Sequence, residues 1–96
     1  MLCFIHAIDK QGKEELRQSL LSEQIGYVNS ADSIKIILAG PLSNQNEGDV
    51  TGSLLIVDAK SRNEVDEFIN ETPFFKNGLW EKIMVNKFTS TNKKII

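Results

Sequence analysis

The chain alternates short apolar runs with polar, turn-forming stretches, and four of the runs have the character of strands. The strongest is Thr51–Asp58, where Leu54, Leu55, Ile56 and Val57 leave no polar face. Such a strand is covered on both sides and belongs in the middle of a sheet. Leu2–Ile8 is apolar except for His6 and is stopped by Asp9-Lys10-Gln11-Gly12, which makes it a second central strand. Ile34–Ala39 carries Lys35, which suits an edge, and is stopped by Gly40-Pro41. Trp80–Phe88 is the last strand. A helix is expected from Lys13 to about Ala31, with Leu16, Leu20, Leu21, Ile25 and Val28 at helical spacing. A second starts at the capping box Ser61-Arg62-Asn63-Glu64, in which the Ser61 hydroxyl accepts from the Glu64 amide and the Glu64 carboxylate reaches back to the Ser61 amide. It runs to about Thr72 with Val65, Phe68 and Ile69 on one face, and Pro73 ends it or opens a separate turn. Leu42–Val50 reads as a polar, mobile connection, Phe74–Gly78 as a compact loop, and residues 90–96 as a polar tail.

The order strand-helix-strand-strand-helix-strand, closed by two right-handed crossovers, gives an α+β, ferredoxin-like fold. It has a four-stranded antiparallel sheet with both helices on one face. All four strands carry apolar residues of both parities, yet two helices cover only one face. A bare second face would expose a large apolar patch, so a homodimer packed sheet to sheet is expected.

Composition narrows the partners. Ninety-six residues make one domain, 1–96, and a net charge of -2 gives no reason to expect nucleic acid or an anionic membrane. No apolar run approaches ~20 residues, so no membrane span is expected. Met1–Ile8 is too short for a signal peptide and lacks a basic flank. The lone Cys3 cannot form an internal disulfide, which points to a reducing, cytoplasmic setting. One histidine and one cysteine offer no metal-ligand spacing, and no Gly-rich phosphate loop is present, so neither metal nor cofactor is expected.

Several stretches together resemble the YciI-like (YCII-related) family, whose members adopt the dimeric α+β barrel form of the ferredoxin-like fold. The matching pieces are Ala7-Ile8-Asp9-Lys10, Ala39-Gly40-Pro41, Thr51-Gly52-Ser53, Thr72-Pro73-Phe74 with Gly78-Leu79-Trp80-Glu81, and the closing Lys87-Phe88. The resemblance implies a lyase-type, dehydrochlorinase-like activity resting on a histidine of the first helix and an aspartate before the Pro-aromatic pair. This chain departs at both places. Thr72 stands before Pro73. The helix position is Glu23 when counted back from Ala39-Gly40 without gaps, and Gln24 when the apolar pattern is matched. At about 100° per residue the apolar stripe centres near Gln24 and Arg17, which favours Gln24.

The candidate site follows. Arg17 and Gln24, seven residues apart, are polar positions within the apolar stripe and are expected to line a pocket between the first helix and the sheet. Thr72 turns inward at the end of the second helix, and Phe74, Phe75 or Trp80 supply an apolar wall. A guanidinium offers paired donors, so the ligand is expected to be small and anionic or aromatic. His6 reads as a neutral core histidine, with a relocated base as its alternative reading. The expected function is therefore a small dimeric protein that binds a small molecule, with the family's acid–base pair replaced. The alternatives are a lyase or isomerase using His6 or Glu23 as base, and a structural dimerisation module.

Overall fold

The structure, a computed structural model, describes residues 1–45 and 48–92. It contains β1 (Leu2–Asp9), α1 (Glu14–Asn29), β2 (Lys35–Ser43), β3 (Val50–Asp58), α2 (Arg62–Asn70), the single-turn α3 (Pro73–Lys76) and β4 (Trp80–Lys87). The sheet is antiparallel throughout, in the order β2-β3-β1-β4, so the two most apolar strands are the central ones. This is the expected α+β arrangement.

Alternation assigns the two faces. Cys3, Ile5 and Ala7 of β1 and Leu55 and Val57 of β3 point to the helices and are buried. They meet Val65, Phe68 and Ile69 of α2, Phe74 of α3, and Leu79 and Trp80 at the start of β4. Phe4, His6 and Ile8 of β1, Leu54 and Ile56 of β3, and Met84 of β4 lie on the opposite face and are only half-buried. His6 shares the open face of the sheet with Phe4 and Ile8, as alternation along β1 requires, opposite Leu54 and Met84; it is half-buried there and is not a core histidine beneath the helices.

Three local expectations are corrected. Gly40-Pro41 does not stop β2, which continues to Ser43 with Pro41 opposite Ser53. An edge strand tolerates the missing proline N–H that a central one would not. The long connection between β2 and β3 shrinks accordingly to a hairpin closed by the Asn44 amide donating to the Asp49 carbonyl (3.1 Å). Asn46 and Glu47 of the connection expected to be mobile, and Lys93–Ile96 of the expected tail, lie outside the described residues. The capping box is half as written. Ser61 accepts from the Glu64 amide at 3.2 Å, but the Glu64 carboxylate accepts from the amide of Lys60 (2.9 Å), one residue before the expected Ser61.

The loop after Pro73 is wound into α3. Thr72 has an extended backbone and caps it, accepting from the Phe75 amide at 3.2 Å while its own hydroxyl donates to the Ile69 carbonyl at 2.9 Å. One threonine therefore ends α2 and starts α3, which fixes where Phe74 points. Gly52 admits β1 closely: a Cβ there would collide with the Ala7 carbonyl, so only glycine fits.

Tyr27 ties α1 to α2. Its ring lies 5.2 Å from that of Phe68, and its hydroxyl donates to the Phe68 carbonyl at 2.8 Å. Burial, and then the nearby Glu71 carboxylate, raise the phenol above its ordinary value of 10.0. The folded state thus holds this proton more tightly than the unfolded chain does. The resulting stability is fully present below the unfolded value and is lost as pH rises through the folded one. Tyr27→Phe is expected to cost about 1 kcal/mol at neutral pH and to flatten the loss of stability above pH 10, as measured by urea melts across an alkaline pH series.

Candidate functional site

Helix α1 inverts the usual pattern. Its two most buried side chains are polar, Arg17 at 8% and Gln24 at 6% exposed, whereas Ile25 is 50% exposed. The apolar residues Leu16, Leu20, Leu21 and Val28 flank them and are half-buried against the core. Seven residues apart, about two helical turns, Arg17 and Gln24 share the face directed at the sheet. Glu23 lies outside that face and is exposed, which gives Gln24 and not Glu23 the inward position.

Each polar group is held by partners from distant parts of the chain. The Arg17 guanidinium donates through Nε to Asp9 Oδ2 (2.7 Å) and through Nη2 to Asp9 Oδ1 (3.1 Å), a bidentate pair whose side chains are each 10% exposed. Nη2 also donates to the Ser53 hydroxyl oxygen at 2.8 Å. The guanidinium carbon stands 4.6 Å from the centroid of the Phe74 ring, a cation–π distance. Gln24 Oε1 accepts from the Phe74 amide at 3.0 Å, bridging α1 to α3. The Trp80 ring meets Phe74 edge-on, with centroids 5.9 Å apart.

Beside this cluster is a cleft of about 270 Å³ between α1 and the sheet. Its walls on α1 are Arg17, Leu21, Gln24, Ile25, Val28 and Asn29, and Phe74 comes from α3. The sheet side is Ala39, Gly40, Pro41, Ser53 and Leu55, and four of these five side chains are too small to fill the gap beneath α1. An apolar cavity of about 150 Å³ is enough for benzene, so this cleft has the size for one substituted ring.

Of the residues expected at the site, Arg17, Gln24 and Phe74 meet at the cleft. Thr72 is fully buried but does not border it; it acts on the cleft through the cap that places Phe74. His6 faces the other side of the sheet. Trp80 stands behind Phe74, and Phe75 is 41% exposed on the outside of α3. Sequence reasoning missed Asp9 and Ser53. A lone carboxylate at the end of a central strand, eight residues before an arginine in an apolar stripe, was the available signal for Asp9. Ser53 had only strand parity, which puts it on the face of Leu55 and Val57. Among the described residues, no group of three or more histidine, cysteine, aspartate or glutamate side chains is placed to hold a metal ion, and no helix is long and apolar enough to cross a membrane.

A four-stranded antiparallel sheet with helices on one face and a donor-lined cleft beneath α1 defines a small ferredoxin-like α+β protein. The chain belongs to the YCII-related domain family, whose profile matches residues 1–89. A solved structure of 5-chloro-2-hydroxyhydroquinone dehydrochlorinase (TftG) from Burkholderia phenoliruptrix, in complex with 2,5-dihydroxybenzoquinone, is similar to this chain. It has a TM-score of 0.86 and 31% identity, over 93% of this chain and 94% of that one. The At3g17210 protein of Arabidopsis thaliana gives a TM-score of 0.52 at 20% identity over 98% of each chain, a likeness of fold alone. No curated protein matches the chain.

Removing one member of a buried ion pair strands the other. Asp9→Ala is therefore expected to destabilise the fold by about 3 kcal/mol. The double variant Asp9→Leu with Arg17→Met should recover most of that loss, because it removes both charges together. Chemical denaturation of the three proteins checks both expectations.

Proposed function

We propose that this chain is a YciI-like protein that binds a small, planar, oxygenated ring in the cleft between α1 and the sheet. Arg17, Gln24 and Ser53 would hold the ligand's oxygens, and Phe74 would lie against the ring. The observation that carries this reading is the burial of Arg17 and Gln24, on the helix face that packing alone would fill with leucine, together with Ser53 on β3, beside a cleft of single-ring size. The dehydrochlorinase, similar over nearly the whole chain, binds a dihydroxybenzoquinone, a ring of that class. Thr72 contributes by fixing the turn that carries Phe74.

The reading keeps binding and drops proton transfer. Among the described residues bordering the cleft there is no histidine, cysteine or carboxylate. Arginine stays protonated, and neither glutamine nor serine ionises near neutral pH. The Asp9 carboxylate, which pairs with Arg17, has both its oxygens engaged by that guanidinium. His6 and Glu23, the alternative bases, lie off the cleft.

We further propose that the protein works as a homodimer joined through the open sheet faces. Phe4, Ile8, Leu54, Ile56 and Met84 form an apolar surface there, and Leu38 is 46% exposed beside them. A second copy presents an equal apolar face and covers it without new chemistry. A buried, unpaired Cys3 fits the reducing, cytoplasmic setting.

Calorimetric titration tests the binding reading. 2,5-Dihydroxybenzoquinone, the ligand of the dehydrochlorinase complex, is expected to bind, and Arg17→Ala, if folded by circular dichroism, to weaken it. The chlorinated hydroquinone named for that enzyme is expected to survive incubation with this protein unchanged. Turnover that His6→Ala or Glu23→Gln abolishes would establish a relocated base instead. Light scattering tests the dimer: the protein is expected to be dimeric at micromolar concentration, and Ile56→Lys to be a folded monomer. A monomeric parent protein overturns that part.

A further inference from the structure

The cleft's hydrogen-bonding inventory is more specific than its shape. The Phe74 amide can only donate, so the Gln24 atom 3.0 Å from it must be the carbonyl oxygen. This fixes the side-chain amide the other way round: its NH2 group is left over. Among the described residues that NH2 group has no protein partner, although Gln24 is only 6% exposed and borders the cleft. Arg17 commits Nε and Nη2 to Asp9 and Ser53, and its Nη1 has no partner among the described residues. The Ser53 oxygen accepts from Arg17, and its own hydrogen likewise finds no acceptor among them. All three buried polar side chains thus carry spare hydrogens, while the oxygens of Gln24 and Ser53 each already accept one hydrogen bond.

Among the described residues the buried side-chain polar atom without a partner is Trp80 Nε1, so these donors are not sealed in but open to the cleft, where a ligand that brings acceptors can take them up. A ligand hydroxyl placed here accepts through its oxygen, but its own hydrogen can go only to an oxygen that already accepts one bond. An oxyanion brings no hydrogen and accepts charge-assisted hydrogen bonds, which are the stronger kind. We infer that the cleft takes its ligand as the conjugate base: a phenolate, or the enolate of a hydroxyquinone, held by Gln24, Ser53 and Arg17. The inference rests on the reading of the cleft as a ligand site. Binding an acidic ring compound from its neutral form then breaks the ligand's O–H bond. The electron pair stays on the ligand oxygen and the proton passes to solvent, with nothing oxidised or reduced. This chain would act on its ligand by holding it ionised below the pH at which it ionises in water. Asp9 does not compete for the donors facing the cleft, because its oxygens are both bound to Nε and Nη2.

The test uses para-nitrophenol, whose phenol and phenolate forms have different absorption bands, and para-nitroanisole, its methyl ether, which cannot ionise. At a pH where free para-nitrophenol is mostly neutral, adding the protein is expected to bring up the phenolate band. Its affinity should rise roughly tenfold or more as pH is raised through the phenol's own ionisation. Calorimetry in two buffers of different ionisation enthalpy should report a proton released on binding below that pH. Gln24→Glu keeps an acceptor for the Phe74 amide but replaces the free NH2 by an oxygen, and should erase the preference for phenolate while circular dichroism stays unchanged. Should that variant fail to fold, Ser53→Ala is read in its place, with a smaller loss expected. If para-nitrophenol binds equally in both forms, or no better than para-nitroanisole at every pH, the inference is overturned and the cleft remains a binding site. If neither ring binds, the binding reading itself fails, and this inference with it.

Discussion

A guanidinium sealed between a helix and a sheet has to be neutralised and hydrogen-bonded, or the helix cannot dock. Arg17 meets that demand with three groups: the Asp9 carboxylate at the end of β1, the Ser53 hydroxyl on β3, and the face of the Phe74 ring on α3. Those three come from separate parts of the sequence. The condition for burying one charge is thus also a condition on how β1, β3 and α3 sit under α1. The pair need not add stability over an apolar substitute, since desolvation offsets much of the attraction. Its contribution is to geometry, because a bidentate pair accepts few orientations.

Gln24 extends the same logic by two helical turns. Its carbonyl takes up the Phe74 amide, a group near the start of α3 that has no helical acceptor of its own. Thr72 closes the neighbouring amide, that of Phe75. The short helix is therefore held at its N-terminal end from two sides, by its own cap and by α1. Phe74, 2% exposed, has its ring fixed by Arg17 and Trp80 and its amide fixed by Gln24. The cleft is what remains beside this rigid corner. The small side chains of Ala39, Gly40, Pro41 and Ser53 cannot fill it, and α1 cannot collapse onto the sheet while Arg17 and Gln24 hold it at their own length.

The strands and the inward face of α2 could be read from the sequence because each rests on local periodicity, and the strand order followed from the two crossovers. Four apolar residues in a row at Leu54–Val57 force a central strand wherever the chain goes next. The ends of elements were less legible. Gly40-Pro41 reads as a stop, and only the knowledge that β2 is an edge explains why pairing continues past it. The site divided along the same line. Arg17 and Gln24 stand out as polar interruptions of a stripe, which one helix is enough to show. Asp9 and Ser53 acquire meaning only through partners 8 and 36 residues away. Thr72 was turned inward by helical spacing and His6 was read as a core histidine, and neither periodicity says what occupies the face it assigns. Thr72 turned out to serve the backbone. His6 landed on the face that no helix covers.

The placement of polar residues on α1 carries one more consequence. A helix that buries Arg17 and Gln24 while leaving Ile25 half in water gives up packing that ordinary patterning would supply. Natural sequences that break local rules in this way tend to do so at sites of function. In this chain the polar side chains at the cleft each accept a hydrogen bond from, or donate one to, the protein and keep further donors beside the cleft. Water can meet such donors in the empty cleft, and a ligand that brings acceptors without hydrogens can take its place. Electrostatic preference of this sort does not require a residue that can itself gain or lose a proton. A cleft of this kind would need no acid–base side chain to distinguish ionised from neutral ligands, because the direction of an amide would make the distinction. That direction is set by the backbone N–H of Phe74, which has no alternative but to donate.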